Sequence, residues 1–461
     1  MRIALVSAEV WPLSKTGGLA DYVFSLSNAL ASLGHSVDVI TPDYSSKESS
    51  PAVAQLNGTE GVTFSRQRMN GWTAVKAVSP ALFAREKLYG YEDDYRRFAL
   101  FSKAAASYIV SEGYDVVHCN DWPTGYIPLL LKQAKSSIPS LFTIHNMEFQ
   151  GISPPELLDE IGISRSHFHM GGVEYYGNVS SMKAGIVYSD ALVTVSPTYS
   201  REIQTPEFGF GMDGIIRKHS SKLSGILNGI DYKMWDPSGD AEIRATFSSS
   251  SMGGKDMCKS FLQREFSLPQ VRRPLLAFIG RLWKQKGMDL LLDALPSVRG
   301  SYQLIVLGTG DTELMRRIEN VSSANPAVRA IMRYDEKLAH RIYSAADIFI
   351  MPSRFEPCGL GQMISMRYGT VPVVRKTGGL ADTVHNFDRR TGEGEGFVFI
   401  DSSPQELADA ISAAIRTYSD RDRWKNLVGN CMNHDFSWET SAGRYLSLYS
   451  SLASVASKLS E

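Results

Sequence analysis

The sequence has 461 residues, of which 43% are hydrophobic and 21% are charged, and its formal net charge is -1. This is an ordinary globular composition, long enough for about three domains or for two large α/β domains. The nearly balanced charge gives no sign of a nucleic-acid or membrane partner. No stretch approaches the roughly 18 apolar residues of a membrane helix. We therefore expect a soluble, untargeted protein.

The first apolar run predicts a buried strand rather than a signal peptide, because it is short and is interrupted by Glu9. Asp420-Arg421-Asp422 has the form in which some sugar transferases hold a metal ion, but it opens a charged helical segment and is interpreted as a solvated helix face. The four cysteines lack the spacing of zinc sites or disulfide frameworks, so we expect a reducing compartment. They are Cys119, Cys258, Cys358 and Cys431.

Strand-like and helical patterns alternate along both halves of the chain, which predicts two doubly wound α/β domains with parallel sheets. In the first half, helical patterns at 20–33 and 96–112 separate apolar runs at 2–7, 37–41, 116–119, 141–145, 191–195 and 224–227. The second half begins again with the apolar runs 275–280, 302–307, 348–351, 371–374 and 396–400.

The domain boundaries are predicted from the segment between the two halves. Residues 236–240 and 247–254 are polar and rich in Gly and Ser, which is typical of a linker or mobile loop. The prediction is a first domain at 1–240, a linker at 241–261 and a second domain at 262–437. The helical pattern at 438–461 predicts a C-terminal helix that packs back on the first domain.

The heptapeptide Lys-Thr-Gly-Gly-Leu-Ala-Asp occurs twice, at 15–21 and at 376–382, each time between an apolar run and a helical pattern. At such a turn, glycine lets the backbone approach a ligand, and the free N–H groups of the helix favour an anion. Ligands of doubly wound sheets bind at the carboxyl ends of the strands, where both copies fall. A single copy is explained equally well as a tight turn, but the repetition favours two facing half-sites for a nucleotide or a sugar.

Further polar clusters follow predicted strands. Arg281 and Lys286 form a pair of cations suited to a diphosphate, and Glu356 precedes a predicted helix, where a carboxylate accepts sugar hydroxyls. His145 and Asn146 end a strand of the first half. Taken singly, these clusters are also explained as a solvated basic turn, a helix cap and a structural histidine. Together, on two matching domains, they indicate a cleft that binds a phosphorylated sugar.

A set of motifs extends along nearly the whole chain. The motifs are Lys15 to Asp21, Leu88-Tyr89-Gly90 with Arg97-Phe98, His118 to Gly125, His145-Asn146 with Gln150-Gly151, Tyr176-Gly177 with Lys183-Ala184-Gly185, Thr194 to Tyr199, Gly225 to Asp231, Gly280 to Gly287, Pro352 to Leu360, Arg367 to Val384, and Asp435 to Trp438. Together these motifs resemble those of the bacterial glycogen synthases and the plant starch synthases.

The resemblance implies a retaining glucosyltransferase of the GT-B type, with two doubly wound Rossmann-like domains that face each other across a cleft. It further implies transfer of glucose from ADP-glucose to the non-reducing end of an α-1,4-glucan. The residues that match the family's catalytic positions are His145, Glu356, Lys15, Arg281, Lys286 and Asp21. The matches to donor-binding positions are Lys15, Gly17, Gly18, Asn228, Arg281, Lys286, Tyr334, Glu356, Cys358, Gly359, Leu360, Thr377, Gly378 and Gly379, and Asp121 matches an acceptor-side position.

By the same resemblance, His145 lies beside the anomeric carbon, Glu356 contacts the donor glucose, Tyr334 stacks on adenine, and Arg281 with Lys286 binds the phosphates. The implied partners are ADP-glucose and glycogen or a maltooligosaccharide, without nucleic acid, membrane, metal or other cofactor. Domain closure would exclude water, which competes with the glucan. The implied location is the bacterial cytoplasm, with a mature plastid form as the less favoured alternative.

The segment Met147-Glu148-Phe149 departs from the family's more usual Leu-Ala-Tyr, which puts the substrate fit of that loop in question.

Three alternatives for the function stay open at this point. A related transferase that uses UDP-glucose or another sugar nucleotide is the first alternative. The second is an inactive glucan-binding scaffold, although the predicted catalytic residues are all present. The third, a nicotinamide-dependent dehydrogenase, is disfavoured because neither half has GxGxxG directly after its first strand.

Overall fold

The computed structural model describes residues 1–45 and 61–460. The chain forms two compact units, the first composed of Met1–Gly229 with Trp438–Glu461 and the second of Ile230–Ser437. Each unit is built on a mainly parallel sheet, as the alternating pattern of the sequence predicted.

The first unit contains eleven strands in its described residues. They are β1 (Arg2–Val6), β2 (Ser36–Pro42), β3 (Thr63–Arg68), β4 (Thr73–Val78), β5 (Val116–Asn120), β6 (Ser140–Ile144), β7 (Ile152–Ser153), β8 (Glu174–Tyr175), β9 (Asn178–Ser180), β10 (Ala191–Thr194) and β11 (Leu223–Gly225). The large sheet has the order β11-β10-β6-β5-β1-β2-β4-β3, and β7-β9-β8 form a small separate sheet. In the large sheet β3 is antiparallel to β4, and the other neighbours are parallel.

The helices of the first unit connect these strands. They are α1 (Gly18–Ser32), α2 (Pro80–Phe83), α3 (Asp94–Glu112), α4 (Ile127–Gln133), α5 (Leu157–Ile161), α6 (Ser181–Tyr188), α7 (Pro197–Glu202) and α8 (Asp213–Lys218), with single 3-10 turns at Trp122–Thr124, Arg165–His167 and Ser220–Lys222. The central strands are buried along almost their whole length, because both faces of a parallel sheet are covered.

The second unit has a six-stranded parallel sheet. Its strands are β12 (Leu275–Ile279), β13 (Gln303–Leu307), β14 (Val328–Ile331), β15 (Ile348–Met351), β16 (Val371–Arg375) and β17 (Phe397–Phe399), in the order β14-β13-β12-β15-β16-β17. Its helices are α9 (Gly253–Glu265), α10 (Met288–Ala294), α11 (Thr312–Ala324), α12 (Glu336–Ala345), α13 (Gly361–Arg367), α14 (Gly378–Thr383), α15 (Pro404–Tyr418) and α16 (Arg421–Asn433), with a 3-10 turn at Leu295–Ser297.

The C-terminal helix α17 (Trp438–Ser460) is part of the first unit. Its Tyr445 hydroxyl lies 2.9 Å from the hydroxyl of Tyr22 on α1, and its Tyr449 hydroxyl lies 2.7 Å from Nδ1 of His118 on β5. Tyr445 and Tyr449 therefore lie on the face of α17 that packs against α1 and β5. Glu461, the last residue of the predicted helical segment, lies outside the described residues.

The linker predicted at 241–261 is wrong, because this segment belongs to the second unit and includes most of α9. Two buried lysines anchor the helix. Lys255 Nζ donates to the carbonyl oxygen of Tyr368 and to Oγ1 of Thr370, both at 2.8 Å. Lys259 Nζ lies 2.6 Å from Asp347 Oδ2. The Gly- and Ser-rich composition suggested a mobile segment, but these buried contacts fix it.

The predicted boundary at residue 240 is also too late, because the second unit begins at Ile230. The Trp235 ring stacks on His340 with centroids 3.9 Å apart. Asp240 Oδ2 lies 2.7 Å from His340 Nδ1 and accepts a hydrogen bond from the Tyr368 hydroxyl at 2.5 Å. Residues 230–240 are therefore held by buried polar and aromatic contacts that composition alone does not reveal.

In the described part of the chain, no helix combines the length and the apolar character that a membrane span requires.

Candidate active site

Most predicted site residues follow strands at the topological switch points of the two sheets. In the first unit, β1 lies between β2 and β5, and Lys15, Asp121 and His145 follow β1, β5 and β6. In the second unit, β12 lies between β13 and β15, and Arg281 and Glu356 follow β12 and β15. Ligands of doubly wound sheets bind at such points. Each unit therefore gathers its predicted residues at a position suited to binding.

Lys15 and Asp21 form an ion pair at the start of α1. Their Nζ and Oδ1 atoms are 2.9 Å apart, and both side chains are partly exposed. Gly17, with an extended backbone, caps the helix, and Gly18 is its first residue. Asp21 lies in the first turn, where the helix dipole favours a negative charge. The structure thus brings together the predicted donor-binding residues of the first repeat, Lys15, Gly17 and Gly18, and the predicted catalytic residue Asp21.

The buried carboxylate of Glu9 holds the loop that carries Lys15. It accepts hydrogen bonds from the Thr16 backbone N–H at 2.6 Å, from Thr16 Oγ1 at 3.0 Å and from the Tyr89 hydroxyl at 3.2 Å. Burial raises the pKa of Glu9, and the hydrogen bonds from Thr16 act in the opposite direction. The sequence analysis did not assign Glu9 to the site. Its only signal was a charged residue that interrupts an apolar run.

His145, directly after β6, lies against the neighbouring strand β5. Its Nε2 is 3.0 Å from Asn120 Oδ1, and its ring packs edge-on against Tyr22 with centroids 4.5 Å apart. Loss of hydration lowers the pKa of His145 to about 3. The imidazole is therefore neutral at physiological pH.

Asn120 also determines which ring nitrogen of His145 carries the proton. The Asn120 amide nitrogen donates to the carbonyl oxygen of Val6 at 3.1 Å, so Oδ1 is the atom directed at His145. An amide oxygen only accepts hydrogen bonds. Nε2 of His145 must therefore carry the proton, and Nδ1 keeps a lone pair. The sequence analysis did not single out Asn120.

Asp121 has a strained backbone beside His145. Its φ of 58° and ψ of 177° lie in a region that residues other than glycine rarely adopt. Such backbone strain is concentrated at functional sites. Oδ1 of Asp121 accepts from the His145 backbone N–H at 2.9 Å. Burial raises the pKa of Asp121 to about 7. The predicted acceptor-side residue is thus buried, has a strained backbone and is hydrogen-bonded to the backbone of the predicted catalytic histidine.

Asn228 is a buried residue with unused hydrogen-bonding capacity. Within the described ranges, 1–45 and 61–460, its Oδ1 has no hydrogen-bond partner. A buried polar atom without a partner costs free energy unless a ligand or water satisfies it. This observation is consistent with the predicted role of Asn228 in binding the donor.

In the second unit, Lys286 and Glu356 form a close ion pair. Nζ lies 2.6 Å from Oε2, which also accepts from Ser353 Oγ at 3.0 Å. Glu356 is buried, with 5% of its surface exposed. A carboxylate has two oxygens with about four acceptor positions, and the contacts with Lys286 and Ser353 are both made by Oε2. Glu356 can therefore accept a hydrogen bond from a ligand while Lys286 offsets its charge.

The loop after β12 and the loop after β15 pack tightly against each other and so position the ion pair of Lys286 and Glu356. The Arg354 backbone N–H donates to the Gln285 carbonyl oxygen at 2.8 Å, and Gln285 Nε2 donates to the Phe355 carbonyl oxygen at 2.7 Å. A Cβ atom at Gly287 would lie 2.1 Å from the Pro352 carbonyl oxygen, so only glycine fits there. The sequence analysis missed these supporting residues, because their contacts join segments about 70 residues apart.

The glycines of the second repeat make room for a neighbouring loop. Gly378 has a φ of 45°, and a Cβ atom on it would lie 1.9 Å from the Glu356 carbonyl oxygen. A Cβ atom on Gly379 would lie 2.1 Å from the Cys358 carbonyl oxygen. The sequence analysis explained the glycines by the close approach of a ligand. At the second repeat the structure shows a different reason for glycine. The close approach is to the chain itself, and it brings Thr377 beside the Glu356 loop.

The other predicted residues of the second unit surround these loops. Arg281 lies over the Trp283 ring, 5.0 Å from its centroid. Tyr334, between β14 and α12, is 72% exposed. Cys358 is buried, and Gly359 has a φ of 74° just before Leu360, the cap of α13. The ring of Tyr334 is thus accessible for stacking.

The Asp420-Arg421-Asp422 segment begins α16, and Asp420 caps that helix through the Arg423 backbone N–H. Within residues 1–45 and 61–460, there is no group of three or more His, Cys, Asp or Glu side chains that could hold a metal ion.

Two family models match the chain, one for each half. Residues 2–218 match the starch synthase catalytic domain, and residues 273–417 match the glycosyl transferases of group 1. The chain is 40% identical over 477 residues to a glycogen synthase of Geotalea uraniireducens, a match that covers 97% of this chain and 98% of the relative.

The chain belongs to the glycogen synthase family. It is 42% identical to a second member, a glycogen synthase of Moorella thermoacetica, over 97% of this chain and 96% of that protein. It is a glycosyltransferase, as the motifs predicted.

The fold of this family member is similar to that of a solved plant structure. The catalytic domain of starch synthase IV from Arabidopsis thaliana, bound to ADP and acarbose, matches with a TM-score of 0.89 and 34% identity, over 98% of this chain and 99% of that chain. Sucrose-phosphate synthase from Thermosynechococcus elongatus, 20% identical with a TM-score of 0.66 over 98% of this chain and 99% of that chain, shows the fold alone. The predicted GT-B fold class is confirmed.

Proposed function

We propose that the protein transfers glucose from ADP-glucose to the non-reducing end of an α-1,4-glucan, with retention of the anomeric configuration. The observation that carries the proposal is the buried Glu356, paired with Lys286 at 2.6 Å at a sheet switch point. This arrangement places a sugar-hydroxyl acceptor next to a cation for phosphate. The ADP and acarbose bound to the plant relative support a nucleotide and a glucan as ligands.

Each residue then has a role that suits its position. Arg281 and Lys286 bind the diphosphate and stabilise it as it leaves. The exposed ring of Tyr334 stacks on adenine. Glu356 accepts hydroxyl hydrogens of the donor glucose through Oε1. The proposal gives no role to a metal or another cofactor.

The neutral state of His145 fits a positive charge that develops on the donor sugar. With Nε2–H held by Asn120, the lone pair of Nδ1 is available to a polar substrate group, and the ring adds no charge beside the anomeric carbon. A cationic histidine would oppose the oxocarbenium-like transition state, whereas preorganised neutral dipoles stabilise it.

A direct test is incubation with ADP-glucose and maltotriose, followed by proton NMR of the product. The expected result is a new α-1,4-linked glucose at the non-reducing end and an equal amount of ADP, with activity retained in excess chelator. A β-linkage would contradict retention, and absence of transfer would favour the inactive-scaffold alternative. The cytoplasmic location stays a prediction from the resemblance.

A further inference from the structure

The second unit contains a large groove at the amino ends of its strands. The groove has a volume of about 1530 Å³, and its lining includes Pro274, Ser301 and Asp347, which lie shortly before β12, β13 and β15. Arg281 and Glu356, in contrast, follow β12 and β15. The length of β12, five residues or about 16 Å, therefore separates the groove from the candidate active site.

The lining of the groove carries an excess of positive charge. It includes eight Lys and Arg residues and three Asp residues, whereas the whole chain has 48 Lys and Arg against 49 Asp and Glu. Asp347 is paired with Lys259 at 2.6 Å, so Asp256 and Asp422 are the acidic residues that face the other cations. Burial lowers the pKa of Lys255 to about 7, which leaves seven fully charged cations at neutral pH. A concave surface of this kind attracts anions.

One wall of the groove is formed by α15 and the loop before β13. The Arg299 backbone N–H donates to Ser412 Oγ at 2.8 Å, and a Cβ atom on Gly300 would lie 2.8 Å from Cγ2 of Ile415. Arg416 is four residues after Ser412 on α15, and residues four apart lie on the same face of a helix. The packing of the loop on α15 therefore brings Arg299 and Arg416 close together.

The floor and the second wall are formed by α9 and α16. Lys259 Nζ donates to the Arg273 carbonyl oxygen at 2.7 Å and to the Tyr418 hydroxyl at 3.1 Å, and so joins the loop before β12 to the end of α15. Arg421 and Lys425 are four residues apart on α16 and share one of its faces. Cations from separate segments of the chain thus converge on one groove.

The cations suit phosphate groups in particular. Most of the exposed cations are arginines, whose planar guanidinium binds phosphate with two parallel hydrogen bonds. The exposed cations of the lining are Arg272, Arg273, Arg299, Arg416, Arg421 and Lys425. They belong to several segments, and the groove exceeds the roughly 300 to 1,000 Å³ of an ordinary ligand pocket. This distribution favours a ligand with more than one phosphate group.

The shape of the site favours a small compound over a polymer. Proteins that bind nucleic acid carry an excess of positive charge over a broad surface, whereas this chain has a net charge of -1 and its cations line a concavity. The Trp424 ring also lines the groove and meets Tyr418 edge-on, with centroids 5.1 Å apart. It offers an apolar face to the part of a ligand that carries no charge.

We propose that this groove, the basic groove, is a second ligand site that binds a small compound with two or more phosphate groups. A nucleoside polyphosphate and a sugar bisphosphate share this chemistry. The inference goes beyond the proposed function and does not depend on it, because the basic groove lies at the other end of the strands from the residues assigned to the donor.

Binding is measured by isothermal titration calorimetry of the full chain with sodium tripolyphosphate, in saturating ADP so that the donor site is occupied. The wild type should bind one equivalent. In Arg416→Gln/Arg421→Gln the dissociation constant should rise at least about 10-fold, because two charged hydrogen-bond donors are lost. The control Arg316→Gln/Arg317→Gln removes the same charge from α11, outside the basic groove, and should change the dissociation constant less than about 2-fold. Circular dichroism melting verifies the fold of both variants.

Two further titrations, with ATP and with glucose 1,6-bisphosphate, distinguish the two sources of the phosphates, since the natural class should bind more tightly than tripolyphosphate. The KM for ADP-glucose in Arg416→Gln/Arg421→Gln should stay within about 2-fold of the wild type.

Wild-type protein that binds no tripolyphosphate in saturating ADP would overturn the inference, and so would an unchanged dissociation constant in Arg416→Gln/Arg421→Gln. Binding of RNA or heparin without binding of tripolyphosphate would overturn it as well. Absence of glucosyl transfer, in contrast, would overturn the proposed function and leave the basic groove intact.

Discussion

Replacement of Asn120 with aspartate tests whether the neutral state of His145 matters for catalysis. His145 Nε2 lies 3.0 Å from Asn120 Oδ1. At an effective dielectric constant of about 20, a negative charge at that distance stabilises the imidazolium by about 5 kcal/mol. Since 1.36 kcal/mol corresponds to one pKa unit, the substitution should move the pKa of His145 from about 3 into the neutral range.

The expected result is a new pH dependence with a defined sign. Below its raised pKa, His145 in Asn120→Asp is cationic and opposes the charge of the transition state, so kcat falls as the pH falls. Asp121, with a pKa of about 7, titrates in the wild type as well. The diagnostic quantity is therefore the ratio of the variant kcat to the wild-type kcat, which should fall about tenfold from pH 8 to pH 6.

The assay is ADP release at saturating ADP-glucose and glycogen from pH 5.5 to 9, with NMR of the His145 ring to follow its protonation. Asn120→Ala is the matched control, because it removes the acceptor without adding charge. It should lower kcat about tenfold, the worth of one hydrogen bond, and keep the wild-type pH profile. A kcat ratio for Asn120→Asp that does not change with pH would refute the role of Asn120.

The remaining predictions concern the second unit and its ion pair. Glu356→Ala and Lys286→Met should each lower kcat/KM at least about 100-fold, or roughly 2.7 kcal/mol, and near-wild-type turnover of a folded variant would remove that residue from the site. Gly378→Ala should lower the melting temperature by about 5 °C or more, because its Cβ would lie 1.9 Å from the Glu356 carbonyl oxygen. In the control Gly429→Ala, no atom lies within 4 Å of the added Cβ, so an equal loss there would contradict the steric argument. A chelator should leave most activity, since the cations proposed for the diphosphate are side chains, and activity that depends on added magnesium would disprove this.

The sheets and the order of the site residues were predictable because both depend on local patterns. The apolar run 275–280 became β12 (Leu275–Ile279), and the heptapeptide repeats each begin a helix, α1 and α14. Residues at the carboxyl ends of parallel strands share one edge of a sheet. A short motif after an apolar run therefore predicts from the sequence alone which residues lie at that edge.

Long-range polar contacts were not predictable from the same patterns. Lys255 and Lys259 lie in a Gly- and Ser-rich context, and only the folded chain shows their buried partners Thr370 and Asp347. Glu9 and Asn120 are likewise single polar residues at the ends of apolar runs. Their importance comes from which neighbouring strand they meet, and a sequence without its sheet order does not contain that information.

The central claim is tested most directly by side-by-side glucosyl transfer to glycogen from ADP-glucose and from UDP-glucose, at equal concentrations and with kcat/KM measured for each. The account predicts a clear preference for ADP-glucose in the wild type and a large loss in Glu356→Ala with either donor. Equal or better transfer from UDP-glucose would contradict the donor assignment.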